Sequence, residues 1–182
     1  MTRSTTPTTL VALVALLALV ALALLPSQPV AAQSSFRIVG VVWTDTNCDG
    51  IRQDDEPLKP HVRMMLRWAG GNGVIDATDR EIEDGGSAAS GQYAFTLAGA
   101  GEPYFISIRT ADRPLGFTLS PFQQGGDPTR DSDMRDDLLP GTTLWATPVF
   151  VMPEDGSQIT GVDIGLCPLS MNNQVFIPLV TR

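Results

Sequence analysis

Beyond residue 33 the apolar positions come in short groups separated by Gly, Pro and Asp. Phe36 to Trp43 is β-branched and aromatic and reads as a strand. Val62, Met64, Leu66 and Trp68 alternate with Arg63, Met65 and Arg67, the two-residue period of a half-buried strand. Tyr93, Phe95 and Leu97 repeat that period, as do Tyr104, Ile106 and Ile108. Two more apolar runs follow, Leu144 to Met152 and Ile159 to Leu166. No segment after residue 33 carries the 3.6-residue stripe of an amphipathic helix. The 14 prolines and 17 glycines of the chain suit many turns. About six to eight short strands between turn signals predict an all-β chain folded as a β-sandwich. No internal repeat is visible, which argues against a propeller or solenoid.

The first 32 residues follow another rule. Arg3 and the amino terminus give a positive start, and Leu10 to Leu25 is an unbroken run of Leu, Val and Ala. Pro26 ends the run, and Val30-Ala31-Ala32 places small residues before Gln33. That order predicts a secretory signal peptide over residues 1–32, cleaved after Ala32. As a helix the run would span about 24 Å, short of the ~30 Å hydrocarbon core, so a retained membrane anchor is the weaker reading. Residues 33–169 then form one domain, and residues 170–182 a short apolar tail. The tail ends in Phe176-Ile177-Pro178-Leu179-Val180-Thr181-Arg182. It reads as an edge strand, a disordered tail or an attachment signal. The expected location is secreted or extracellular, with membrane contact only through an uncleaved leader.

Charge narrows the function. The 182 residues hold 20 acidic and 12 basic side chains, a formal net charge of −8. A chain this acidic lacks the basic face that nucleic acid needs. One histidine and two cysteines cannot complete a four-ligand zinc site without carboxylates. His61, the lone histidine, has no nucleophile motif such as G-x-S-x-G to serve. No catalytic residue and no enzyme activity are expected.

The chemistry concentrates in Asp45-Thr46-Asn47-Cys48-Asp49-Gly50-Ile51-Arg52-Gln53-Asp54-Asp55-Glu56. This segment fits the twelve-residue calcium pattern D-x-[DN]-x-[DN]-G-x₅-E. Calcium takes six to eight hard oxygens, more than one carboxylate supplies. Asp45, Asn47 and Asp49 would give side-chain oxygens, Ile51 its carbonyl, and Gln53 a direct or water-mediated ligand. Glu56 would close the shell with two oxygens, and Gly50 permits the sharp turn. A strand enters at Trp43, and Pro57 and Pro60 disfavour a following helix, so the loop reads as a static clip.

These residues resemble the opening of the SdrD B-like domain family: Val42-Trp43-Thr44-Asp45-Thr46-Asn47, then Asp49-Gly50-Ile51 and Glu56. The resemblance continues in Gly91-Gln92-Tyr93-Ala94-Phe95, Gly116-Phe117-Thr118-Leu119-Ser120, Asp131-Ser132-Asp133 and Val162-Asp163-Ile164-Gly165-Leu166. It implies an immunoglobulin-like β-sandwich stiffened by calcium and used as a non-enzymatic module of bacterial surface or secreted proteins. It also implies that Asp131 and Asp133 ligate calcium. On residues alone, Asp127 to Asp137 reads equally as a solvated charged loop containing Arg130 and Arg135. Asn72-Gly73-Val74-Ile75-Asp76 resembles a family hairpin that usually has Asp at the position of Asn72. Leu139-Pro140-Gly141-Thr142-Thr143 resembles a sortase signal superficially and reads as a turn.

Cys48 follows the first strand and Cys167 the last. If those strands run parallel, both sulfurs lie at one end and can bridge; otherwise they are separate thiols. Trp43, Trp68 and Trp145 either fill the sandwich or line a sugar site. Lys59, the only lysine, lies between prolines in a loop, so no internal Lys–Asn bond is expected. The expected function is a secreted, calcium-stabilised structural or adhesive module whose partner is an unknown surface protein or glycan. The alternative is a carbohydrate-binding module using exposed aromatics.

Overall fold

The computed structural model describes residues 36–97, 99–139 and 141–169. The expected signal peptide (residues 1–32) and apolar tail (residues 170–182) lie outside the described residues. The strands are β1 (Phe36–Thr44), β2 (Arg63–Trp68), β3 (Arg80–Gly86), β4 (Gln92–Leu97) and β5 (Pro103–Ile108). After one 3₁₀ turn at Thr110–Asp112 come β6 (Phe117–Leu119), β7 (Trp145–Ala146), β8 (Phe150–Val151) and β9 (Ile164–Pro168). The first sheet has the order β4-β1-β9-β6, and the second the order β3-β2-β5-β7 with β8 also beside β5.

The period-two patterns decide which faces meet. Phe36, Ile38 and Val42 of β1 and Tyr93, Phe95 and Leu97 of β4 point into the interlayer. Met64 and Leu66 of β2 and Tyr104, Ile106 and Ile108 of β5 meet them from the second sheet. Gly40 takes the remaining inward position of β1. A Cβ there would lie 2.0 Å from the Val162 carbonyl oxygen and 2.8 Å from the Tyr93 hydroxyl. That empty space lets the buried Tyr93 hydroxyl donate to the Val162 carbonyl.

Strand β5 is buried on both faces. Phe105, on the side away from the interlayer, is fully covered by Ala69, Ile75, Ala146 and partly buried Leu138, Leu139, Leu144 and Val149. The half-buried strand expected from Tyr104, Ile106 and Ile108 is therefore a central, doubly covered one.

Three elements differ from the pattern-based expectation. Strand β3 has only Ile82 as an apolar residue, and no alternation announces it. It holds the sheet edge through cross-strand pairs with β2: Arg67–Glu81 at 2.7 Å, and Arg63–Asp84. Leu144 to Met152 is two strands rather than one, because Pro148 has no N–H to give the ladder. There Thr147 donates its N–H to the Ile106 carbonyl at 2.9 Å, and its hydroxyl accepts the Ile106 N–H at 3.0 Å. Strand β9 starts at Ile164, not Ile159. Ile159 makes one parallel bridge to Ile38, and the chain then turns through Gly161 at φ 73°. Thr142 donates its N–H to Leu139 at 3.2 Å, a turn as expected for that segment.

Candidate metal centre

The acidic loop leaves β1 at Asp45 and curls around that residue's carboxylate. Asp45 is fully buried, and its Oδ2 accepts the Gly50 N–H at 2.8 Å while Oδ1 accepts the Asp49 N–H at 3.2 Å. Gly50, at φ 81°, makes the tight turn that a Cβ would block, since it would stand 2.4 Å from the Pro121 carbonyl oxygen. Asn47 Oδ1 accepts the Asp49 N–H, and Asn47 Nδ2 donates to Asp49 Oδ2 at 2.8 Å. Asp49 Oδ1 accepts the Ile51 N–H at 2.8 Å, and Gln53 Nε2 donates to Oδ2 at 2.9 Å. The Ile51 amide chiefly holds the Asp49 carboxyl below the usual carboxylate range, with help from Gln53 and Asn47. Glu56 closes the ring: Oε1 accepts the Thr46 N–H at 2.7 Å and Oε2 the Gln53 N–H at 3.1 Å.

The second acidic segment is brought to this loop by backbone pairing. Ile51 and Asp131 form an antiparallel bridge, flanked by Arg52 N–H to the Arg130 carbonyl and Ser132 N–H to the Gly50 carbonyl. Two side-chain oxygens, Gln53 Oε1 and Asp131 Oδ1, are buried with no hydrogen-bond donor. An orphaned buried oxygen costs about 1–3 kcal/mol. A hard cation satisfies such oxygens, so the donor set present fits calcium on this count. Among the described residues, no group of three carboxylate, histidine or cysteine side chains is gathered to hold a metal by itself. A shell built here would draw on the neutral oxygens of Asn47, Gln53 and Ile51 as well.

Asp133 is bound to the backbone of Asp163. Its Oδ2 accepts the Asp163 N–H, and its own N–H goes to the Asp163 carbonyl, both at 2.8 Å. Burial, reinforced by the charges of Asp131 and Asp163, pushes the Asp133 carboxyl up to about 6. Asp163 is the polar residue that sequence reading passed over. It is buried just before β9, accepts the Val41 N–H at 2.9 Å and pairs with Arg52 at 3.5 Å. Burial raises its carboxyl too, against the pull of the Val41 amide and Arg52. An aspartate inside the apolar run Val162 to Leu166 was the available signal.

Cys48 and Cys167 are joined by a disulfide, with Cα atoms 5.1 Å apart, inside the usual span for such bonds. Strands β1 and β9 are parallel neighbours, which carries both cysteines to one end of the sheet. Asp45 also donates its N–H to the Leu166 carbonyl at 3.0 Å, so the loop is tied to β9 twice. Trp43 and Trp145 are buried. Trp68 is half-buried, with its indole N–H on Glu102 at 2.7 Å and Arg80 over its ring at 5.3 Å. His61 is exposed, and Lys59 Nζ lies 4.0 Å over the Phe117 ring.

The fold and this loop define a two-sheet all-β module whose first and last strands are stapled beside an acidic turn. The model of the SdrD B-like domain matches residues 37–165, and the chain belongs to that family. Among curated proteins it is 33% identical over 92 residues to "Fibrinogen-binding protein" of Staphylococcus epidermidis, covering 50% of this chain and 7% of that protein. It is 32% identical over 95 residues to "Serine-aspartate repeat-containing protein F" of Staphylococcus epidermidis ATCC 12228, covering 52% of this chain and 5% of that protein. The matched stretch is thus a small part of each of these relatives.

Proposed function

We propose that the chain is a secreted, calcium-stabilised, non-enzymatic structural or adhesive module of a bacterial cell surface or extracellular matrix. Membership of the SdrD B-like family supports the coarse reading, since both relatives match the chain only in a small segment of a much longer protein. The observation that carries the calcium part is a pair of buried, donorless oxygens, Gln53 Oε1 in the curled loop and Asp131 Oδ1 in the segment bridged to it. Asp45, Asn47, Asp49 and Glu56 would hold the cation by side-chain oxygens, Ile51 by its carbonyl, and Gln53 and Asp131 by the orphaned atoms. Asp133, bound to the Asp163 amide, would act from behind Asp131. The cation supplies positive charge to a segment in which Asp45, Asp49, Asp54, Asp55 and Glu56 face only Arg52 within the loop. The signal peptide expected over residues 1–32 would deliver the domain to a calcium-rich space. One relative's name records fibrinogen binding, and a surface protein of that kind, or a glycan, is the partner proposed here.

Thermal unfolding in calcium and in excess chelator tests the proposal. A ligand at about 100 times its Kd stabilises by ~2.7 kcal/mol, or about 5–10 °C for a domain of this size. A melting curve unchanged by chelator removes calcium from the reading.

A further inference from the structure

The disulfide sits at a special point of the topology. Strand β1 begins at the module's entry, Phe36, and Cys48 lies four residues past its end at Thr44. Cys167 is the next-to-last residue of β9, which runs parallel to β1 and leads straight to the exit at Leu169. Phe36 is therefore at one end of the sheet, and the disulfide and the exit are together at the other. We infer that tension applied to the two ends of the module runs along β1, crosses the Cys48–Cys167 bond and leaves through Pro168. Residues 49–166 lie off that path, inside a covalent loop with a sequence separation of 119.

The loaded segment has almost no length to give. Strand β1 is nine residues of extended backbone. A strand already rises about 3.3 Å per residue, against a limit near 3.6 Å. It also lies inside its sheet, paired to β4 from Phe36 to Val41 and to β9 from Val42 to Thr44. Load thus falls on the covalent backbone of one straight strand and one S–S bond. Pulling the ends apart cannot unzip the sandwich while that bond is closed. This inference is independent of the calcium proposal, because a covalent path carries load whether or not the loop holds a cation.

Single-molecule stretching of the full chain, tethered at its two termini, tests it. The readout is the contour length released beyond the constant contribution of the flanking residues. With the bond closed, residues 36–48 and 167–169 are the only slack among the described residues, and the expected release from them is about 2 nm or less. In dithiothreitol, or in Cys48→Ser, residues 36–169 all join the path and the release is expected to be about 45 nm. Because contour length is read at full stretch, the variant reports correctly even if it is unfolded at the start. Chelator is expected to leave the oxidised value unchanged. Release of tens of nanometres from the oxidised chain, with or without calcium, would overturn the bypass. So would a reduced chain that releases no more than the oxidised one, since the lock would then lie elsewhere.

Discussion

Asp133 and Asp163 each bind the other's backbone: Asp133 Oδ2 accepts the Asp163 N–H, and the Asp163 carbonyl accepts the Asp133 N–H. This places two carboxyls in a crowded interior, where Arg52 alone pairs with Asp163. Burial pushes Asp133 to about 6 from an ordinary 3.8, so the folded state binds this proton more tightly than the unfolded chain. Stability from this group is full below the ordinary value and declines as pH rises toward the folded one. Asp163, Asp131 and Asp79 are raised by burial in the same sense. The carboxyls held low, Asp49, Asp54, Asp76, Asp84, Asp127, Asp137 and Asp155, act below that window. In chelator, the urea midpoint is expected to fall between pH about 4 and about 6. Asp133→Asn keeps an acceptor for the Asp163 N–H and should flatten that fall. A midpoint that climbs across the same interval would contradict the assignment.

Among the longer strands, β5 is the most covered, with Tyr104, Phe105, Ile106, Ser107 and Ile108 all buried. Its inner face meets the interlayer, and its outer face lies beneath the segments around Ala69–Ile75 and Leu138–Val149. Phe105→Ala is expected to cost about 3–5 kcal/mol in urea unfolding, as for a buried aromatic in any core. A loss below about 1 kcal/mol would mean that the outer face is open to water and that the covering segments contribute little. Strand β3 is the opposite case. It is an edge built from charge pairs with Arg63 and Arg67, the kind of edge that resists pairing with other chains.

For the whole molecule, the Cys48–Cys167 bond closes most of the domain into one loop. The chain-entropy model gives such a loop ~4–5 kcal/mol, acting through the unfolded state. Cys48→Ser with Cys167→Ser is therefore expected to lower the unfolding free energy by about that amount in denaturant titration. A loss under about 1 kcal/mol would show that β1–β9 pairing already fixes this end of the sheet. The acidic excess is also organised at this scale. The loop from Asp45 and the segment from Asp127 meet at the Ile51–Asp131 bridge, so two stretches of like charge share one corner of the module.

Residues alone determined β2, β4 and β5, whose side chains alternate, and β1, whose run is β-branched and aromatic, because period and composition are properties of neighbouring positions. They determined the acidic loop for the same reason: all its oxygens fall within twelve consecutive residues. The DSD segment, the Asp163 anchor and the disulfide needed more. Their partners lie far away in the chain, and only the parallel placement of β1 beside β9 brings Val41 to Asp163 and Cys48 to Cys167. Strand β3 escaped because an edge held by ion pairs needs no apolar pattern. The break in the run from Trp145 to Val151 escaped although Pro148 stands inside it, because the Thr147 hydroxyl that takes up the Ile106 N–H there is a contact with a distant strand. Local stereochemistry is written in adjacent residues, whereas strand pairing is chosen by which faces bury most when the whole chain packs.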